Sequence, residues 1–124
     1  MFTTSVRGSS IGIFQRYEIH MINNFSENTN ELIVRCKSAD DDLGEHFLDK
    51  GDDWYWNFRV NFFRSTLFFC HVKWGEMEKS FTVFDTDYIS SKCEETSACF
   101  WSVRAEGIFL SCDNENYVKQ HNWP

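Results

Sequence analysis

Five cysteines and four histidines are the side chains of this 124-residue chain that could bind a metal ion or attack a substrate. In a short chain, cysteines can be disulfides, metal ligands or buried core thiols. The closest pair, Cys93 and Cys99, lacks the Cys-x-x-Cys spacing of a zinc site, and the histidines are scattered without a metal-binding interval. We therefore expect two disulfides with one thiol left over, an oxidising compartment, and no metal or other cofactor.

Acidic side chains are abundant, and the densest run is Asp40, Asp41 and Asp42, followed by Leu43 and Gly44. A helix-loop-helix calcium site needs oxygen ligands that alternate along a loop ending in Glu, and this run does not provide them. We interpret the run as a solvated turn, or as a turn that its own Asp side chains cap. A pair of glycosidase carboxylates stays an open alternative, because the sequence does not give the distances between carboxylates.

Other catalytic signatures are absent from the sequence. It contains no Gly-x-Ser-x-Gly elbow, papain-like cysteine context, His-Glu-x-x-His helix, phosphate loop or dinucleotide glycine motif. Trp54, Trp56, Trp74 and Trp101 could stack on sugars, although alternating strand positions are more typical of a core. We therefore predict a protein that is not an enzyme, and keep a secreted carbohydrate-binding module and a small secreted toxin or hydrolase as alternatives.

The composition indicates that one β-rich domain carries these side chains. A chain of this size buries about two-thirds of its unfolded surface. Thirteen Phe, five Trp and a single Pro favour pleated sheet over a helix bundle. Apolar and polar residues alternate with the period of two that is typical of half-buried strands. The pattern predicts eight strands, at residues 17–22, 32–36, 45–48, 54–60, 66–74, 79–84, 99–103 and 108–112.

Three regions follow one another along the chain: a flexible arm at 1–15, the folded domain at 16–112 and a polar tail at 113–124, which we expect to dock through Trp123. The first 15 residues lack the apolar centre of a secretory signal, so we expect a mature form from which the signal has been removed. No apolar run approaches the roughly 18 residues that a membrane span needs. The net charge of −7 disfavours nucleic-acid binding, which usually requires a basic patch. An N-glycan acceptor sequence begins at Asn24, in a polar loop at 23–30.

Several sequence pieces follow one another in a fixed order. They are Leu-x-Val-x-Cys-Lys-Ser at 32–38, Asp-Asp-Asp-Leu-Gly at 40–44, an aromatic strand after Gly at 51–58, Thr-Leu-Phe-Phe-Cys at 66–70, Trp74, Phe-x-Val-Phe at 81–84, Cys93, Cys-Phe-Trp-Ser-Val at 99–103, and Gly-Ile at 107–108. In this order they resemble the self-incompatibility family of small secreted plant proteins, the S-protein homologues. The resemblance covers roughly residues 17–110, and its many ordered pieces make it far more specific than a lone motif.

The resemblance implies roles that the residues alone leave open. The four cysteines of the family match Cys36, Cys70, Cys93 and Cys99, which makes these the disulfide candidates and leaves Cys112 as the free thiol. The resemblance also implies a secreted, extracellular signalling or recognition ligand for a plant cell-surface receptor. In that family, the pistil-borne member of poppy is recognised by a membrane protein on incompatible pollen and triggers its arrest.

The residue patterns and the resemblance together predict an all-β fold, an antiparallel β-sandwich of about eight strands in two sheets that disulfides staple. Without a catalytic centre, function should lie in the loops at 23–30, 38–44 and 85–97. We single out Asp40, Asp41 and Asp42 as candidate receptor-facing residues, and we expect a monomer.

Overall fold

The computed structural model describes residues 14–61 and 65–124. Within these ranges the chain forms nine strands and one short helix. In chain order they are β1 Phe14–Asn23, β2 Leu32–Lys37, β3 Asp42–Leu48, β4 Asp53–Asn61, β5 Leu67–Trp74, β6 Met77–Asp85, α1 Ile89–Lys92, β7 Ala98–Arg104, β8 Gly107–Ser111 and β9 Val118–His121. All eight predicted strands are present, with ends shifted by at most three residues. The predicted arm lies outside the described residues as far as residue 13.

The strands form two sheets, in the orders β4-β1-β7-β8-β9 and β3-β2-β5-β6. Neighbouring strands are antiparallel except β1 and β7, which are parallel and pair from Glu18↔Ala98 to Asn23↔Val103. The prediction of an all-β sandwich is confirmed. The parallel pair at the centre of the larger sheet is its main departure from a wholly antiparallel arrangement.

The core lies between the two sheets because each inner strand buries every second residue. In β2, Leu32, Val34 and Cys36 are fully buried while their neighbours point outward. Burial of one such aliphatic side chain contributes about 1.5–3 kcal/mol. Trp101 of β7 is 1% exposed, and its indole N–H donates to the Val83 carbonyl of β6 at 3.1 Å. This single side chain therefore joins the two sheets through both packing and a hydrogen bond.

Two disulfides are present, and one of them uses Cys112, which the resemblance implied to be free. Cys36 and Cys70 lie directly opposite each other on β2 and β5 and are bridged. Cys93, at the end of α1, is bridged to Cys112, and their Cα atoms are 5.2 Å apart. Cys99 is a buried free thiol. The expectation that Cys99 is bridged and that Cys112 is free is therefore wrong.

The strand period explains the correction. Cys99 shares the inward face of β7 with Trp101 and Val103, which turns its side chain into the core between the sheets. Cys112 follows the last residue of β8 and reaches the segment that contains α1. Cys99 is the cysteine nearest to Cys93 in the sequence, but the fold brings Cys112 next to Cys93.

The final residues dock through Trp123, as the sequence predicts, but they also form a strand that it does not predict. Strand β9 pairs antiparallel with β8 and forms the edge of the larger sheet. Trp123 donates its indole N–H to the Arg104 carbonyl at 2.7 Å, and its ring lies 6.1 Å from that of Phe25. An edge strand with polar side chains such as Lys119 and Gln120 lacks the apolar alternation that identifies inner strands.

Candidate functional site

The irregular segments between strands lie at two opposite ends of the sandwich. Because β1 and β7 are parallel, residues 86–97, which precede β7, lie at the end where β1 begins. Residues 24–31 follow β1 and lie at the other end. There Phe25 stacks on Trp74 with 4.1 Å between ring centroids, and Trp74 pairs with Leu32, the first residue of β2. Strand β2 therefore starts at the same end as loop 24–31.

Three segments meet at the end where β1 begins. The turn 38–41 follows β2, and residues 112–117 follow β8, which runs opposite to β7. We call residues 38–41, 85–97 and 112–117 the acidic end. Within these segments Lys92 is the one lysine or arginine, against eight of the chain's 19 acidic residues: Asp40, Asp41, Asp85, Asp87, Glu94, Glu95, Asp113 and Glu115. The fold thus groups two of the three predicted functional loops and separates loop 23–30 from them.

Both disulfides brace the acidic end. Cys36 lies two residues before the turn 38–41 and is bridged to Cys70 of β5. The Cys93–Cys112 bridge joins the other two segments of the acidic end directly. By the chain-entropy model, loops of 34 and 19 residues correspond to about 4 and about 3 kcal/mol of stabilisation. The second bridge therefore fixes 85–97 and 112–117 relative to each other, and the first fastens the strand that leads into the turn 38–41.

The turn 38–41 presents two carboxylates to solvent. The Ser38 N–H donates to the Asp41 carbonyl at 2.8 Å, and the Asp41 N–H donates to Ser38 Oγ at 3.2 Å. These bonds close the turn through Ser38 rather than through the carboxylates. Asp40 and Asp41 are exposed, and their carboxylates have no hydrogen-bond or ion-pair partner among the described residues.

Asp42, in contrast, has a structural role. It is the first residue of β3, where its Oδ2 accepts a bond from Arg35 Nη2 at 2.6 Å and its Oδ1 accepts from the Gly44 N–H at 3.0 Å. The bond from Arg35, followed by that from Gly44, lowers the pKa of the Asp42 carboxyl. The three predicted receptor-facing aspartates are therefore not equivalent, since only the first two are free to meet a partner.

Other acidic side chains at this end cap the local backbone. Asp113 accepts from the backbone N–H groups of Glu115 and Asn116, each at 2.9 Å, and bonds from the Asn116 amide and the Ser111 hydroxyl add to these. These bonds, those from Asn116 first, hold the pKa of Asp113 well below its usual range. Asp85 similarly accepts from the Ile89 N–H at 3.1 Å, at the start of α1. Such bonds order the acidic end without neutralising its charge.

A shallow cavity of about 300 Å³ lies beside the turn 38–41. Its lining includes Asp40, Asp41 and Arg59, together with Leu67 and Phe68 of β5. Leu67 is 49% exposed and adds apolar surface beside the carboxylates. The volume is at the lower limit for small-molecule pockets, and the mixture of carboxylates with exposed leucine suits a side chain from a protein partner.

At the opposite end, Asn24 of the predicted glycan acceptor sequence is exposed and anchored. Its side-chain Nδ2 donates to Ser102 Oγ at 2.6 Å, and its backbone N–H donates to the Val103 carbonyl at 2.9 Å. The next residue, Phe25, is buried. A glycan on Nδ2 would leave one amide hydrogen for the bond to Ser102, so the geometry accommodates the modification, which stays a prediction.

His20 lies in a tight, largely buried polar cluster that sequence reasoning missed. Its ring is 8% exposed and lies between the rings of Tyr55, at 4.8 Å, and Phe100, at 4.4 Å. Nδ1 lies 2.9 Å from both carboxylate oxygens of Asp53, and Nε2 lies 2.7 Å from Glu18 Oε1. Both ring nitrogens are occupied by carboxylates, so neither is available to activate a nucleophile. The spacing Glu18-x-His20 could have predicted this cluster, because residues two apart lie on the same face of a strand.

The tryptophans do not form an exposed platform for sugars. Trp54 lies between His46, at 3.8 Å, and Trp56, at 4.9 Å, and the two indoles are tilted by 31°. Both indoles are half-buried, and Trp101 is fully buried. The indole N–H groups of Trp56 and Trp74 are buried without a hydrogen-bond partner among the described residues. These rings pack against the core, as their alternating positions indicate.

No group of three or more His, Cys, Asp or Glu side chains in 14–61 and 65–124 is arranged to hold a metal ion. No helix in the same ranges has the length and apolarity required to cross a bilayer.

These features define a small all-β protein whose disulfide-braced end carries acidic loops. The family model described as plant self-incompatibility protein S1 matches residues 18–123. The chain therefore belongs to this family, and the resemblance found in the sequence is confirmed.

Individual relatives agree with this assignment. The chain is 34% identical to S-protein homolog 29 of Arabidopsis thaliana over 111 residues, which cover 89% of this chain and 79% of the relative. It is 37% identical to S-protein homolog 24 of the same species, over 78% of this chain and 65% of that relative. A solved structure of SPH (self-incompatibility protein homologue) proteins, described as a widespread family of small, highly stable, secreted proteins from plants, shares the fold. Its TM-score is 0.69 at 16% identity, over 92% of this chain and 98% of that one.

Proposed function

We propose that the protein is a secreted, non-enzymatic recognition ligand whose acidic end binds a receptor on the plant cell surface. The observation that carries this proposal is that both disulfides brace the segments where exposed carboxylates are concentrated. Loops that a rigid scaffold holds in place lose less conformational entropy on binding, which favours affinity.

Secretion is supported by two independent facts. Disulfides form and persist in oxidising compartments, and this chain contains two. The solved SPH proteins are described as secreted. The membership in a self-incompatibility family supports a role in recognition between cells, for which a cell-surface receptor is the partner.

The receptor surface that fits the acidic end is basic. Carboxylates such as Asp40 and Asp41 steer a positively charged partner and fix its orientation, so binding should weaken as salt concentration rises. Leu67, in the cavity beside them, supplies an apolar contact that salt does not screen. A receptor loop with an apolar side chain flanked by Lys or Arg would satisfy both features.

Binding of the labelled folded protein to plasma membranes from plant reproductive tissue tests the proposal. We expect saturable binding that the Asp40→Asn/Asp41→Asn double variant weakens roughly fivefold to thirtyfold, equivalent to about 1–2 kcal/mol. The matched control is Glu27→Gln/Glu31→Gln, which makes the same charge change in loop 24–31 at the opposite end. Equal affinity of the two double variants would contradict a role for the acidic end, and absence of saturable binding would contradict the receptor.

A further inference from the structure

Strand β4 differs from the other three strands at the edges of the two sheets. The ladders that end in β3, β6 and β9 each contain a register shift, at 35/37, 68/69 and 108/109 respectively. In contrast, β4 pairs with β1 in continuous register over nine residues, from Phe14↔Asn61 to Ile22↔Asp53. Proteins usually interrupt long regular edges, because the unpaired backbone groups of such an edge can pair with another strand.

The hydrogen bonds of Asn23 establish which backbone groups of β4 are unpaired. The Asn23 N–H donates to the Asp52 carbonyl at 3.0 Å, and the Asn23 carbonyl accepts from the Gly51 N–H at 2.7 Å, so Asn23 faces the β4 side of β1. Successive residues of an antiparallel ladder alternate between hydrogen-bonded and non-hydrogen-bonded pairs. The hydrogen-bonded pairs of this ladder are therefore Met21↔Trp54, Ile19↔Trp56 and Tyr17↔Phe58.

The intervening residues Tyr55, Asn57 and Arg59 point their N–H and C=O groups away from β1. Among the described residues no strand pairs with this side of β4, which ends the order of its sheet. All three side chains are exposed, and Tyr55 is 53% exposed. The edge therefore combines unpaired backbone groups with an accessible aromatic surface.

We propose that β4 pairs antiparallel with β4 of a second copy of this chain, about Asn57. Asn57 is the midpoint of β4, so this register overlaps all nine residues of the strand. It places Tyr55 opposite Arg59 of the second copy, and Trp56 opposite the second copy's Phe58. A guanidinium against a tyrosine ring and a pair of aromatic rings are both favourable contacts across strands.

The charges along β4 also favour antiparallel pairing of two copies of this strand. Asp53 lies at one end of the strand, and Glu18 lies opposite its midpoint, Asn57. Arg59 lies near the other end and is directly opposite Arg16 of β1. Antiparallel pairing brings Arg59 of each copy toward Asp53 of the other, whereas parallel pairing would bring like charges together.

The result is a continuous ten-stranded sheet across two copies. Each copy offers about five outward-facing residues, so the new ladder contains about ten backbone hydrogen bonds. This dimer replaces the monomer expected from the sequence. Of the residues that line the cavity beside the turn 38–41, it uses Phe58 and Arg59.

Sedimentation of the whole chain tests the proposal at concentrations from about 1 µM to about 1 mM, the range of weak protein pairs. We expect the mass to rise from 14.7 kDa toward twice that value. Asn57 Oδ1 accepts a bond from Arg16 of its own copy. Asn57→Lys puts two like charges opposite each other at the centre of the pair, beside both Arg16 side chains, and should weaken dimerisation at least about tenfold. Asn57→Asp also puts like charges opposite each other, but Arg16 offsets part of that charge, so it should weaken dimerisation less. An equimolar mixture of the two variants should restore the dimer, which a folding defect would not do. The control is Thr82→Asp, an exposed change on the edge strand β6, which should leave the dimer intact.

Hydrogen exchange locates the contact. The amides of Tyr55, Asn57 and Arg59 should exchange more slowly as protein concentration rises, whereas the Trp56 amide should be protected at all concentrations. A mass of 14.7 kDa throughout would overturn the proposal. Protection of these amides that is independent of protein concentration would also overturn it, because it would mean that another segment of the same chain pairs with this side of β4. Protection that appears only on plant membranes would assign it to a receptor strand instead.

Discussion

The bridge between Cys93 and Cys112 gives the sharpest test of how the acidic end is held together. Cys112→Ala removes this bridge and leaves Cys93 as a thiol, whereas Cys99→Ala removes a buried thiol and leaves both bridges intact. Both variants delete one cysteine sulfur. The sequence alone predicts a bridged Cys99 and a free Cys112, and therefore a larger loss of stability for Cys99→Ala, whereas the structure predicts the opposite.

The expected costs follow from the two environments. The bridge closes a loop of 19 residues, for which the chain-entropy model gives about 3 kcal/mol. Cys99 is fully buried, and truncating its sulfur removes one core atom and leaves a small void, at a cost of about 1–2 kcal/mol. With about 4 °C of melting temperature per kcal/mol, Cys112→Ala should melt about 12 °C below the parent, and Cys99→Ala about 4–8 °C below it.

Denaturant unfolding gives the two free energies, and mass spectrometry of unreduced peptides gives the connectivity. We expect peptides that link Cys36 to Cys70 and Cys93 to Cys112 in the parent and in Cys99→Ala. A linked Cys93–Cys99 peptide in the parent, or a larger loss of stability in Cys99→Ala than in Cys112→Ala, would refute the assignment.

Two further predictions concern stability. Burial raises the pKa of the Cys99 thiol to about 12, and burial, followed by the charge of Glu94, raises that of Tyr17 to about 12. In the unfolded chain these groups ionise near ~8.5 and ~10, so the free energy of unfolding should fall as pH rises from about 9 to 12, and Cys99→Ala should make that slope shallower. An equal slope in both proteins would argue against a buried thiol. Gly107→Ala should cost about 2 kcal/mol or more, because φ is +144° and a Cβ would lie 2.6 Å from the His121 carbonyl oxygen. Gly44→Ala is the control, with φ +83° and nothing within 4 Å of its Cβ, and should cost about 1 kcal/mol. Equal costs in denaturant unfolding would contradict a role for the contact with β9.

The local alternation of apolar and polar residues was sufficient to predict most of the strands. The alternation of Leu32, Val34 and Cys36 predicts β2 because burial on one face imposes a period of two. The strand β9 escaped prediction because an edge strand with one solvated face needs few apolar residues, and Trp123 supplies its main anchor from beyond the strand.

The arrangement of the candidate site depended on contacts between distant residues. The parallel pairing of β1 with β7 decides which loops share an end, and no local signal specifies it. The same is true of the pairing of Cys93 with Cys112 instead of Cys99, and of the unequal roles of Asp40 and Asp42, since Arg35 binds only the latter.

The direction of the strands has a practical consequence for labelling. Strand β1 leaves the acidic end and spans about 33 Å over its ten residues, whereas β9 leads the chain back to the far end, where Trp123 docks beside Phe25. A fluorophore or biotin attached after Pro124 would thus report on capture by cells without crowding the contact surface.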